Sequence, residues 1–196
     1  MSIVTLVSGG LDSTVMAVLI KEERITQFPL FIDYGQLSRD RELHACQTNF
    51  RRLGLPKPRV ASMSGFGALL SSGLTDPGKH ILEDAFLPCR NVLFVTVGAA
   101  YAFQCGCTSV GIGLLDEAFS IFPDQTRGFL ADAATLLSRS LGKSITIVAP
   151  LMSFSKADIL RMAKVKGITG TYSCHAGTEM PCGVCIACRE YIGLEV

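Results

Sequence analysis

Apolar runs of strand length alternate with longer stretches of helical period almost from the first residue. Ile3 to Val7 is a short continuous apolar run, the pattern of a strand buried on both faces. It ends at Ser8-Gly9-Gly10, and a helical stretch follows from about Asp12 to Glu23, with Val15, Val18 and Leu19 on one face. Phe28 to Ile32 repeats the strand signal and Leu37 to Leu53 the helical one, with Arg59 to Met63 a weaker strand. Residues 64–88 are rich in Ser, Gly and Pro and read as a long functional loop with a short helix. The pattern then predicts a buried helix over Asn91–Gln104, a strand over Ser109–Ile112, a helix over Asp124–Leu141 and a strand over Ile145–Val148. Ser155 opens the last clear helix, with Asp158 three residues on as a capping-box partner.

Strands and helices that alternate in this way imply right-handed crossovers and a parallel sheet covered on both faces. The expected fold is therefore α/β, a single-domain open parallel sheet over residues 1–170, with a small cysteine-rich appendix over 171–196. That appendix is too short to hold a core without a staple. The chain has 196 residues, 48% of them hydrophobic and 18% charged, as a compact globule has. A net charge of +1 gives no global electrostatic case for a nucleic-acid or membrane partner. No apolar run reaches the roughly 18 residues of a membrane span. The N-terminus reads as a first strand rather than a secretory signal, so the expected location is the cytoplasm.

Val7-Ser8-Gly9-Gly10-Leu11-Asp12-Ser13-Thr14 falls between the first strand and the first helix. Ligands of open α/β sheets bind at the carboxyl ends of strands. Two glycines let the backbone approach an anion, and the helix N-terminus offers free N–H groups and the positive end of its dipole. Ser8, Ser13 and Thr14 add hydroxyls. This is the chemistry of a phosphate cradle. It is no Walker A loop, since no Gly-Lys-Ser/Thr follows, and Gly142-Lys143-Ser144 lacks the earlier glycine that pattern needs.

Eight cysteines without a signal sequence argue against a disulfide framework. Cys46, Cys89, Cys105 and Cys107 are scattered and read as core or loop residues. Cys174, Cys182, Cys185 and Cys188 crowd together, and each C-x₂-C turn brings two sulfurs onto one ion. Four thiolates satisfy zinc fully and leave no open position, so the site reads as structural, with an iron–sulfur cluster the other possibility.

Ser8-Gly9-Gly10-Leu11-Asp12-Ser13 resembles the PP-loop, SGGxDS, of the ATP-pyrophosphatase superfamily, and the chain as a whole resembles the 7-cyano-7-deazaguanine synthase (QueC) family. Asp33-Tyr34-Gly35-Gln36 is similar to that family's DYGQ, and Leu87-Pro88-Cys89-Arg90-Asn91 to its VPGRN. Ser120, Phe122-Pro123-Asp124 and Phe129 fall on its SGYPD…F, Pro150-Leu151…Lys156-Ala157 on its PL…KA, and the tail on its SCYxG…CGxCxxC. The resemblance implies a PP-loop ATPase fold that cuts ATP between the α- and β-phosphates. Ser8, Gly9, Gly10, Leu11, Asp12, Ser13 and Thr14 would hold the pyrophosphate, with Asp12 also helping to hold Mg²⁺. Asp12, Arg90 and Lys156 are the expected catalytic residues, with Tyr34, Gln36, Arg90, Asn91, Phe122 and Asp124 around the substrate. ATP, Mg²⁺ and Zn²⁺ are the implied cofactors, and a deazaguanine carboxylate is the implied substrate of a homodimer.

Departures bear on the acceptor. Ala118 stands where the family has an aspartate, Gln125-Thr126 replaces its Cys-Arg, and Leu37-Ser38 replaces a basic pair. The leading expectation is adenylation of 7-carboxy-7-deazaguanine followed by reaction with ammonia to the amide and nitrile. Alternatives are a paralogue that passes the activated base to an amine of a protein or other macromolecule, as relatives in bacterial antiviral systems do, a PP-loop sulfurtransferase, and a non-catalytic nucleotide-binding module.

Overall fold

The computed structural model describes residues 1–194; the last two residues of the expected tail lie outside the described residues. Five strands form one parallel sheet: β1 (Ser2–Leu6), β2 (Thr26–Asp33), β3 (Arg59–Ser62), β4 (Ser109–Gly111) and β5 (Thr146–Val148), in the order β3-β2-β1-β4-β5. Val4 lies beside Phe28 on one side and Val110 on the other, so β1 is the central strand. Strand order reverses at β1, and this is where an open α/β sheet leaves a crevice at its carboxyl edge.

The chain's helices are α1 (Leu11–Glu22), α2 (Arg39–Arg52), α3 (Ser64–Leu69), α4 (Arg90–Gln104), α5 (Arg127–Leu141), α6 (Lys156–Val165) and α7 (Ile186–Arg189). Alternation along β1 divides the core into two layers. Val4 and Leu6 join Val95, Ala99 and Ala102 of α4 and Leu130 and Leu137 of α5. Ile3 and Val7 join Val15, Met16 and Ala17 of α1, Cys46 and Phe50 of α2, and Ile159 and Ala163 of α6. The helices thus cover both faces, as the continuous apolar strands require.

Several boundaries differ from expectation by a residue or more, among them two helix starts near the sheet's carboxyl edge. The helix expected from Asp124 begins at Arg127, because Pro123–Gln125 closes a separate 3₁₀ turn and Thr126 is the cap, its Oγ1 accepting from Phe129 N at 3.2 Å. Helix α1 is capped by Gly10 with no side-chain cap and begins at Leu11, one residue before the expected Asp12. The capping box at Ser155 is present, with Ser155 N donating to Asp158 Oδ2 at 2.8 Å. Among the described residues no helix is long and apolar enough to cross a membrane.

Candidate active site

The glycine loop leaves β1 and turns directly into α1. Gly9 has φ +84°, and a Cβ there would stand 2.3 Å from Glu42 O and 2.8 Å from Cys46 N, so only glycine lets α2 pack against the loop. Ser8 Oγ and Ser13 Oγ lie 3.2 Å apart across the turn, and Ser13 Oγ and Thr14 Oγ1 both donate to Gly10 O, at 3.2 and 2.8 Å. Gly113, two residues beyond β4, comes so close to the start of α1 that its Cβ would meet Ser13 N at 3.2 Å. Loop and β4 end therefore face one another across the sheet's crevice.

A cavity of about 270 Å³ opens there. Ser8, Gly10, Asp12 and Ser13 line it, together with Lys156, Arg90, Asn91, Tyr34, Gln36 and Phe122. A second cavity, about 450 Å³, shares Asp12, Gly113, Lys156 and Glu190 with the first and runs past Asp116 and Ser120. The two spaces meet at Lys156.

Lys156 begins α6, and the preceding capping box fixes its backbone. Its Nζ lies 2.9 Å from both Asp12 oxygens and 2.9 Å from Glu190 Oε2, and 4.9 Å from the Tyr191 ring centroid. Burial by itself depresses the ammonium pKa, but the charges of Asp12 and Glu190 outweigh it and hold Lys156 above its usual range. A lysine so held stays cationic and is presented to the junction of the two cavities. Burial also pushes Tyr34 up to about 12, with Arg90 pulling in the opposite direction, so the phenol is neutral at physiological pH.

Of the residues expected to bind substrate, Asp124 does not line either cavity. It braces the start of α4: Asn91 N donates to Asp124 Oδ2 at 3.2 Å and Asn91 Nδ2 to Asp124 O at 2.9 Å. Gly9, Leu11 and Thr14 shape the loop from behind rather than facing the cavity. Arg127, one place late against the family pattern, is turned to Met152 O at 2.6 Å.

Glu42, Glu190 and His175 line the cavity but are not among the expected site residues. Glu42 and Glu190 sit on helical segments with no motif of their own, and His175 is hidden beside a cysteine. The His175 Nδ1 is buried without a hydrogen-bond partner. Burial, with Arg90 and Lys156 adding to it, holds its pKa down to about 4, so its ring is neutral.

The tail closes over the loop. Tyr172 N donates to Gly9 O at 3.0 Å, and Ile186, Ala187 and Glu190 form part of the cavity wall. Its four sulfurs all lie within 4.8 Å of one another, with Cys182 and Cys188 at 4.0 Å. Four thiolates about 2.3 Å from a tetrahedral Zn²⁺ stand roughly 3.8 Å apart, so the residues present fit such an ion. Burial raises the Cys188 thiol to about 12, a cost that a bound cation would offset, while N–H groups of Cys182 and Ala176 bring the Cys174 thiol down against its burial.

A glycine loop at the strand-order reversal, with a fixed carboxylate–lysine pair beside it, defines a PP-loop α/β protein. Its backbone resembles the crystal structure of a "predicted subunit of tRNA methyltransferase" from Methanocaldococcus jannaschii, with TM-score 0.58 and 19% identity over 84% of this chain and 74% of that one. The likeness extends to fold alone. Residues 2–191 match the family model described as queuosine biosynthesis protein QueC. The 7-cyano-7-deazaguanine synthase of Campylobacter concisus is 32% identical over 198 residues, 95% of this chain and 90% of that protein. Those of Persephonella marina and Methanothrix thermoacetophila are each 30% identical, over 97% and 95% of this chain and 90% of each protein. The chain belongs to the QueC family, a family of ligase-type enzymes.

Proposed function

We propose that this protein adenylates 7-carboxy-7-deazaguanine with ATP and converts it, with ammonia, to the amide and then the nitrile. The observation that carries the reading is the Asp12–Lys156 pair below the Ser8–Thr14 loop, at the junction of two cavities. One space for ATP and one for the acceptor, meeting at a fixed cation, is what in-line attack on an α-phosphate needs.

The substrate carboxylate oxygen attacks the α-phosphorus, and the bond to the β-phosphate breaks to release pyrophosphate. The Ser8–Thr14 loop receives the departing β- and γ-phosphates, with Lys156 offsetting charge as it develops on the bridging oxygen. Asp12 would help to hold Mg²⁺, which would further neutralise the phosphates. Ammonia then attacks the acyl carbon and AMP leaves with the carboxylate oxygen, giving the amide. Activation of the amide oxygen by a second ATP releases pyrophosphate again, and loss of AMP and the nitrogen-bound protons leaves the nitrile. Arg90 and Asn91 border the same cavity, where the guanidinium suits a carboxylate. Zn²⁺ on Cys174, Cys182, Cys185 and Cys188 would hold the 171–196 tail as a wall on the 1–170 domain.

A second reading passes the activated base to an amine on a macromolecule. It is favoured by Phe119 and Ile121, which line the cavity and stand 65% and 59% exposed, an apolar rim wide of what a small acceptor needs. The test incubates the protein with ATP and 7-carboxy-7-deazaguanine, with and without ammonium, and reads products by mass. Nitrile formation is expected. Activated base that reacts only with an added peptide amine would replace the first reading by the second, and recovery of unchanged substrates would refute both.

A further inference from the structure

Glu42 is a carboxylate in the wrong place for a structural one. It lies in the first turn of α2, 8% exposed, and lines the 270 Å³ cavity among Leu30, Ile32, Tyr34 and Phe94. Gln36 Nε2 donates to its Oε2 at 3.1 Å and Ser38 Oγ to its Oε1 at 2.8 Å. No ion pair to it is formed among the described residues. A buried carboxylate is costly unless its lone pairs are filled, and each oxygen here still has room for another donor.

Gln36 and Ser38 also aim the group. Gln36 is itself fixed, its Oε1 accepting from Tyr34 N at 2.9 Å, so the carboxylate is held in one orientation by a chain of buried hydrogen bonds. Burial pushes the Glu42 pKa up, and Gln36, Ser38 and the Arg90 charge pull it back. Apolar side chains beside an oriented acceptor suit a flat heterocycle that carries N–H groups on its rim.

We propose that Glu42 reads the amino-bearing edge of a purine-type base, accepting hydrogen bonds from its exocyclic amine and, in a guanine-type ring, from the neighbouring ring N–H. The inference rests on the reading of ATP and a deazaguanine as substrates, and both carry such an amine. Two free acceptor positions match the paired donors of the deazaguanine edge. Adenine offers one amine beside a ring nitrogen that a carboxylate repels.

Binding of four ligands to the full chain tests it: 7-carboxy-7-deazaguanine and its 2-desamino analogue, and ATP and its 6-desamino analogue, each against wild type and Glu42→Gln. The wild type is expected to lose roughly 10- to 100-fold in affinity when the amine that Glu42 reads is removed. Glu42→Gln should shrink that ratio by about tenfold or more, while the ligand lacking the amine binds both proteins alike. Loss of discrimination confined to the deazaguanine pair, or to the ATP pair, identifies which base lies against Glu42. Equal weakening of all four ligands in the variant, or a wild type indifferent to both amines, would overturn the inference and leave the substrate reading standing. A wild type that binds neither ATP nor the deazaguanine would remove the substrate reading itself. The wild-type comparison needs no variant to fold.

Discussion

The glycine loop and the cysteine tail both bring backbone and side chains to bear on the same cavity, yet they are held by opposite means. The loop springs from the central strand and is backed by Val7, Leu11, Val15 and Met16, all within the apolar layer shared by α1, α2 and α6. Among the described residues of the tail only Cys174, Cys185 and Ala187 are buried in its own cluster, with Ile81 and Tyr172 packed against them. A loop fixed by a sheet needs nothing bound to keep its shape. A segment with so small a core would be held by an ion gathered on its thiols. The contrast teaches that the glycine loop is built into the main core of the fold, whereas Glu190 and the wall of Ile186 and Ala187 belong to the segment with the smaller one.

The sharpest way to break the contrast is to remove the cation at the junction. Lys156→Ala should lower kcat/KM for pyrophosphate release by roughly 10²–10³ while leaving the fold intact, measured by coupled pyrophosphate assay alongside circular dichroism. A fall of less than about threefold would mean that Lys156 only braces Asp12.

Cys185→Ser addresses the other pole. Cys185 is fully buried in the tail cluster, and its loss should abolish bound metal and raise amide exchange across residues 174–190 by at least about tenfold. The amides of β1 and β2 should keep their protection, read by hydrogen-exchange mass spectrometry and metal analysis on the same sample. Exchange that rises equally in both regions would show one cooperative unit and erase the comparison.

Smaller effects sharpen the loop's side. Gly9→Ala places a Cβ against the α2 backbone at a left-handed φ and should cost roughly 2 kcal/mol or more in urea unfolding. Ser155→Ala removes the cap beside Lys156 and should cost about 1 kcal/mol by the same measurement, with a modest fall in turnover as the lysine loosens.

Legibility in the sequence follows the same division. The loop is contiguous, so strand, turn and helix start are all visible within Ile3–Thr14, and the capping box at Ser155 is equally local. The cysteines announce themselves by spacing. Glu42, His175 and Glu190 carry no local signal: Glu42 reads as one more charge on an amphipathic helix, and only the packing of α2 against Gly9 brings it to the cavity. Asp124 shows the converse error of local reasoning. It has the chemistry of a ligand or cap and follows a proline, but Pro123 opens a separate 3₁₀ turn there and Thr126 takes the cap of α5, leaving Asp124 to hold Asn91.

The central claim is cleavage of ATP at the α–β bond by the loop and Lys156. Phosphorus NMR of ATP and 7-carboxy-7-deazaguanine incubated with the protein, Mg²⁺ and ammonium tests it most directly. The account predicts AMP and pyrophosphate in equal amounts, rising with the deazaguanine added. ADP and inorganic phosphate in their place would contradict it.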